Sequence, residues 1–322
     1  MKSGYKSDRI KRRKSRLFKN IIILAVILTA IAAVSIISYN VIYSRLHSEY
    51  SENALYDNWN LKTTEGFKKT YEISDVLIQK NPLNNTARTF RGYSAFMLAE
   101  SEPDYNLSKN YLNEAIANLR IALIGCSKET YPQVCYMLGK AYYYRDKAAS
   151  YNFYADLTVK YLNEALDYGF SAPDIPHLLG LSYDALGETD KSIAALTKAL
   201  INNETDTLLY DIGRQYFKNK QGMTARQYLA RVIHISKNDE LIEKSRLLLG
   251  QIYINEGEYQ SAENEFNSIL EKNENSADAH YELGVLYEKL GDYVKARYEW
   301  RQCRKIQVNH PGATKKLLEA RK

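Results

Sequence analysis

The sequence predicts an all-α fold of stacked helix pairs preceded by one membrane-crossing helix, on three observations. A glycine recurs in the same local pattern at Gly139, Gly180, Gly213, Gly250 and Gly284. A run of 25 residues, Asn20–Ser44, carries no charge. No segment alternates apolar and polar residues in the manner of a half-buried strand. With 45% hydrophobic and 25% charged residues and 6 Pro in 322, the chain has the composition of a folded protein with a sizeable core.

Residues 1–19 form a basic arm in which nine Lys and Arg stand against Asp8, a net +8. The whole chain is +6, so the other 303 residues sum to −2, and the body offers no broad cationic face for phosphates. Residues 20–44, as a helix, reach roughly 37 Å, enough for a hydrocarbon core of about 30 Å. Ala30-Ile31-Ala32 offers small residues for signal cleavage, but the apolar run continues to Ile42, so the segment reads as an uncleaved anchor. No Cys follows it before Cys126, which removes lipoprotein acylation. Beyond the span, Arg45 is followed by Glu49, Glu52 and Asp57, and the positive-inside rule therefore keeps the arm in the cytoplasm. The expected localisation is a single-pass inner membrane protein with a periplasmic or otherwise extracytoplasmic body.

Residues 45–82 read as a linker helix and a degenerate first repeat. Its second helix spans Glu65–Gln79 and stops at Asn81-Pro82, while Glu49–Asn60 is its partner and continues the membrane helix. Residues 83–310 carry about six repeats. Leu249-Gly250-x-x-Tyr253 is followed by Ala262-x-x-x-Phe266, and Leu283-Gly284-x-x-Tyr287, 34 residues on, by Ala296-x-x-x-Trp300. The same pattern runs back through Ile212-Gly213-x-x-Tyr216, Leu179-Gly180-x-x-Tyr183 and Leu138-Gly139-x-x-Tyr142, and more weakly to Gly92, where Arg91 and Ala95 break it.

These residues resemble the tetratricopeptide repeat, and the resemblance implies a right-handed helix-turn-helix solenoid. Small residues at the first glycine series let paired helices approach. A second series, Gly187, Gly222, Gly257 and Gly291, spaced 35, 35 and 34, is expected where first helices end and the backbone turns left-handed. Longer intervals from Gly92 to Gly139 and on to Gly180 place extra residues in Ser101–Leu107 and Tyr151–Leu157. Residues 311–322 read as a polar cap helix over the last repeat.

No phosphate loop, dinucleotide fingerprint, nucleophile elbow or H-E-x-x-H occurs, so the expectation is a non-enzyme without cofactor or metal. The five His are scattered and lack ligand spacing. Three Cys exclude a disulfide framework, although Cys126 and Cys135 leave a bridge chemically permitted beside the thiol reading. In a tetratricopeptide array the first helices line the partner-binding groove. Mapped from each repeat glycine, the groove residues are Tyr93, Phe96, Tyr136, Lys140, Tyr143, Tyr144, His177, Tyr210, Arg214, Phe217, Lys218 and Tyr281. Leu181, Asp184, Leu247, Gln251, Ile254, Val285 and Glu288 accompany them on the same face. Tyr136, His177, Tyr210, Leu247 and Tyr281 replace the lysines of the two-carboxylate clamp that such domains use for chaperone tails, which argues against that role.

The expected function is a membrane-anchored scaffold that binds proteins during assembly of an envelope complex, such as secretion, outer-membrane biogenesis, division or flagellar-motor structures. The alternative is an extracytoplasmic accessory protein that encloses a small ligand for a transporter.

Overall fold

The computed structural model describes residues 4–46, 49–147 and 153–320, with side chains in the first helix described for residues 22–44. His47, Tyr151 at the start of the second expected insertion, and Arg321 and Lys322 at the end of the expected cap lie outside the described residues. Among the described residues every regular element is an α-helix. The chain divides into two compact units, residues 1–127 and 128–322.

In the first unit, α1 (Gly4–Leu46) is followed by α2 (Glu52–Asn60), α3 (Thr64–Lys80), α4 (Asn85–Ser101) and α5 (Tyr105–Gly125). The arm and the apolar run belong to one continuous helix, α1. Its Ile22–Ser44 portion is long and apolar enough to cross a membrane, and its side chains lie against no other part of the chain. Contrary to the expected continuation, α2 is a separate helix. Ser51 takes an extended backbone (φ −121°, ψ 165°) and accepts a hydrogen bond from the Ala54 N–H at 3.2 Å, a side-chain cap that starts a new helix. Helices α2, α3 and α4 close over Leu55, Ile73 and Phe90, with the Trp59 ring 5.1 Å from Phe67 and 5.6 Å from Tyr93.

Arg91, which breaks the repeat pattern, has a local explanation. Its guanidinium stacks on the Tyr71 ring at 3.4 Å and pairs with Glu114 at 2.9 Å, linking α3, α4 and α5. The surplus residues near Ser101 lengthen helices more than they build a loop. Helix α5 has 21 residues and starts directly behind Asp104, whose carboxylate accepts from the Leu107 N–H at 2.9 Å.

The second unit consists of consecutive antiparallel pairs: α6 (Tyr131–Lys147) with α7 (Ala155–Asp167), α8 (Ile175–Ala185) with α9 (Thr189–Ala199), α10 (Asp206–Lys218) with α11 (Gly222–Ile235), α12 (Asp239–Glu256) with α13 (Tyr259–Lys272), and α14 (Ala277–Lys289) with α15 (Tyr293–Ile306). Helix α16 (Pro311–Glu319) packs on α15. A repeated device sets each pairing distance. A Cβ placed on Gly180 would sit 2.5 Å from Leu196, on Gly250 2.3 Å from Phe266, and on Gly284 2.3 Å from Trp300. The large side chain of the second helix thus fills the space that the first helix leaves empty.

The second glycine series needs a correction. Gly187, Gly257 and Gly291 have φ of +75°, +78° and +80°, but Gly222 opens α11, and the left-handed residue of that turn is Lys220 at φ 58°. In the last four pairs before α16 the left-handed position lies seven residues after the close-packed glycine: 180 to 187, 213 to 220, 250 to 257 and 284 to 291. Gly222 matches the spacing for another reason. A Cβ there would meet the Glu256 carboxylate at 2.4 Å and Ile252 at 3.3 Å, because α12 crosses over the start of α11. Cys126 and Cys135 are thiols rather than a bridge; the first donates to the Leu123 carbonyl and the second to Glu164 Oε2, each at 3.6 Å.

Candidate partner-binding wall of the first helices

Within the second unit, Tyr136, Lys140, Tyr143 and Tyr144 project from α6, His177, Leu181 and Asp184 from α8, and Tyr210, Arg214, Phe217 and Lys218 from α10. Each repeat presents these positions because three or four residues make one helical turn, so i, i+4 and i+7 share a face. The aromatics are half-buried. Tyr136 packs on the cluster of Leu162, Ile175 and Leu178, with its ring 4.9 Å from Phe170. Tyr210 rests on Leu209, Val232 and Leu241, and Phe217 on Ala225, Leu229 and Ile252. Their inner edges serve the core and their outer edges form a surface. Tyr143 and Tyr144 meet edge to face at 5.4 Å.

The cations of this wall are engaged by carboxylates. Lys140 Nζ lies 3.0 Å from Asp174, and the Tyr136 hydroxyl donates to the same carboxylate at 2.9 Å. Asp184 receives Arg214 Nη2 at 2.8 Å and Lys218 Nζ at 2.5 Å, while Asp211 lies 3.4 Å from His177 Nε2 and 3.6 Å from Arg214. All of these but Asp211 with Arg214, which share α10, join one repeat to the next. His177 with Asp211 and Asp184 with Lys218 are each 34 residues apart, one repeat length. Two similar rungs continue the series: Gln251 donates to Glu282 at 2.7 Å, and Lys316 pairs with Glu288 at 2.5 Å.

Titration behaviour follows from this arrangement. Burial alone would raise the Asp184 carboxyl, but hydrogen bonding to Lys218 and the Arg214 charge outweigh it and hold the group below the usual carboxylate range. Burial pushes the Tyr136 and Tyr143 hydroxyls up to about 12. Burial opposes the charged form of Lys140, and its bond to Asp174 more than offsets this, raising the ammonium above its ordinary value. At neutral pH Tyr136 and Tyr143 are therefore neutral phenols beside the Lys140–Asp174 and Arg214–Asp184–Lys218 ion pairs.

Three expected groove residues lie elsewhere in the packing. Phe96, in the first unit, is 1% exposed, a core residue of α4. Tyr281 is covered by the C-terminal helix: its ring sits 4.8 Å from that of His310 and fills the space above Gly312, where a Cβ would approach to 2.7 Å. His310 is itself a cap, with Nδ1 accepting from the Ala313 N–H at 3.1 Å. Tyr93 belongs to the Trp59 cluster of the first unit. Asp174 and Asp211 were not among the residues expected on the wall. The signal for Asp211 is its one-repeat distance from His177.

Beside Arg214 the wall carries a depression of about 280 Å³, lined by Tyr143, Asp146, Thr158, Leu181, Asp184 and Arg214. Asp146 is buried there, its carboxylate accepting from the Tyr154 N–H at 2.7 Å, and burial raises its pKa. Among the described residues no three His, Cys, Asp or Glu side chains converge as a metal site would require.

Comparisons with known proteins agree with this architecture. Residues 179–316 match the C-terminal ARM domain of tetratricopeptide repeat protein 21. A stretch of 157 residues, 47% of the chain, is 27% identical to the anaphase-promoting complex subunit CDC16 of Saccharomyces cerevisiae, and the match spans 19% of that relative. Among solved structures, the C-terminal part of a tetratricopeptide-repeat protein from Cytophaga hutchinsonii superposes with a TM-score of 0.51 at 16% identity, covering 82% of this chain and 97% of that one. The tetratricopeptide protein YrrB, described with an unusual peptide-binding site, gives 0.42 at 21% identity over 78% of this chain and 97% of its own. The fold is an all-α helical-repeat solenoid, and the matches support a tetratricopeptide-repeat protein.

Proposed function

We propose that this chain is a non-catalytic scaffold, anchored in a membrane by Ile22–Ser44 of α1, that binds a protein partner on the wall of α6, α8 and α10. The observation that carries the reading is the set of half-buried aromatics Tyr136 and Tyr143 on α6 and Tyr210 and Phe217 on α10, with His177 and Leu181 of α8 between them. Large rigid rings with two rotatable bonds give binding area at low entropic cost, and Tyr is enriched at interface hot spots. The ion-pair rungs between repeats hold those rings in fixed register, so little ordering remains to be done on binding. The wall would engage a segment through ring faces and phenol hydroxyls, with the paired cations contributing stiffness.

The basic arm before the span and the acidic stretch after it favour an extracytoplasmic repeat domain. This is the placement expected of a component that positions parts of an envelope assembly. On this wall the small-ligand reading is less favoured, because the depression beside Arg214, at about 280 Å³, falls just under the range of roughly 300–1,000 Å³ usual for ligand pockets.

The test is capture and truncation. A partner is crosslinked to the full chain in its native membrane and identified, and its affinity is then measured for the wild type and for Tyr210→Ala with Phe217→Ala. The double variant should lose about 2–4 kcal/mol of binding while keeping its helical signal. Undiminished binding by a folded double variant would exclude this wall as the binding surface.

A further inference from the structure

The charge of the body is not evenly spread. Residues 293–322 hold nine Lys and Arg against Glu299 and Glu319, a net +7; with +8 in the arm and +6 overall, residues 20–292 carry −9. The cationic end has a definite surface. Helix α15 turns Ala296, Trp300 and Cys303 into the core. Its outer side carries Arg297, Arg301 and Arg304 at i, i+4 and i+7, one above another over roughly 10 Å.

None of these three arginines makes an ion pair among the described residues. Arg304 donates to the Val308 carbonyl at 3.4 Å, and the one carboxylate on α15, Glu299, is held by His280 at 2.6 Å. Between α15 and α16 runs a groove of about 540 Å³, lined by Val294, Tyr298 and Leu317 together with the three arginines. Val294 and Tyr298 are 73% and 56% exposed. Cations on the other wall are closed into pairs; here they stand open beside apolar surface.

We infer that the α15–α16 groove is a second docking surface, separate from the wall of first helices, and that its occupant is an acidic amphipathic helix of a partner protein. Three guanidinium forks one helical turn apart match carboxylates spaced by one turn on a helix lying alongside, each able to form a bidentate pair. Tyr298 and Leu317 supply the apolar floor that such a helix needs. The chain's own carboxylates are poorer candidates, since many are already engaged, among them Glu256 and Glu258 with Arg226 and Glu265 with Arg246. A membrane surface uses the cations without the groove, and so predicts no dependence on Tyr298.

The experiment uses the full chain in nanodiscs of zwitterionic lipid and a fluorescent helical peptide with Glu at i, i+4 and i+7 and Leu between. Wild-type protein should bind the peptide with an affinity that falls at least about tenfold on replacing its Glu by Gln, and similarly on raising NaCl to about 0.5 M. Arg297→Ala with Arg301→Ala and Arg304→Ala should abolish binding, and Tyr298→Ala should weaken it severalfold. The Tyr210→Ala, Phe217→Ala variant should bind the peptide as the wild type does, which separates this surface from the wall. Circular dichroism establishes that each variant is folded; if the triple Ala variant is not, the corresponding triple Lys variant, which keeps the charge and loses the fork, should bind the peptide more weakly than wild type. No binding by wild type overturns the inference. So does equal binding by the folded triple variant, or an arginine-dependent association with phosphatidylglycerol vesicles or with a second copy of the chain in place of the peptide.

Discussion

At the scale of single residues, the turns between paired helices depend on which residue stands seven places after Gly180, Gly213, Gly250 and Gly284. Three of four such turns use glycine in the left-handed region, and the fourth uses Lys220 at φ 58°. An L-residue with a Cβ is disfavoured there by roughly 1–2 kcal/mol, whereas glycine adopts it freely at some cost in unfolded-state entropy. Lys220→Gly should therefore stabilise the repeat domain by about 0.5–1 kcal/mol, read from the midpoint of a urea transition. Gly250→Ala should act in the opposite direction. The new Cβ would stand 2.3 Å from the Phe266 ring, and relief of that overlap should cost about 1–3 kcal/mol. The sequence carried both glycine series, yet even spacing alone could not distinguish the αL turn at 220 from the helix crossing at 222.

At the scale of elements, the paired first and second helices were legible because a small residue on one and a large one on the other recur at fixed offsets. The rungs between repeats were less so, since Asp184 with Arg214 or His177 with Asp211 are pairings across about one repeat that no local periodicity announces. Arg214 and Lys218, expected on the partner-binding wall, also tie α8 to α10 through Asp184. Phe96 shows the same limit: helical register places it near the groove face, and close packing of α4 buries it. Asp184→Asn should loosen the α8–α10 contact by about 1–3 kcal/mol, the cost of hydrogen bonds to charged groups left without their anion. The sign of the pH effect is fixed by the depressed native pKa. This contribution is complete above the ordinary carboxylate range and lost as pH falls through the lower native value, so the Asn variant should show a flatter loss of thermal stability on the acid side.

In the whole molecule, a helix long and apolar enough to cross a membrane precedes a repeat body whose contacts are local in sequence. A fragment beginning near Ser48 should therefore fold without the anchor and show a dominant helical circular dichroism signal; a strand signature contradicts it. The topology is tested by fusing a phosphatase that folds only outside the cytoplasm after Lys322. An active fusion is expected, and an inactive one beside an active cytoplasmic reporter reverses the orientation.

A control for surface mutations also follows from the packing. Glu263, on a second helix, accepts a hydrogen bond from the Tyr287 hydroxyl at 2.6 Å, so its truncation would disturb the fold, whereas Lys272 is exposed and suits the purpose. The central claim, that partner binding uses the aromatic wall of the first helices, is tested most directly by placing a photoreactive side chain at Tyr210, and separately at Lys272, in the full chain in its native membrane. The account predicts one crosslinked partner band from position 210 and none from position 272. A partner captured at 272 and not at 210 would contradict it.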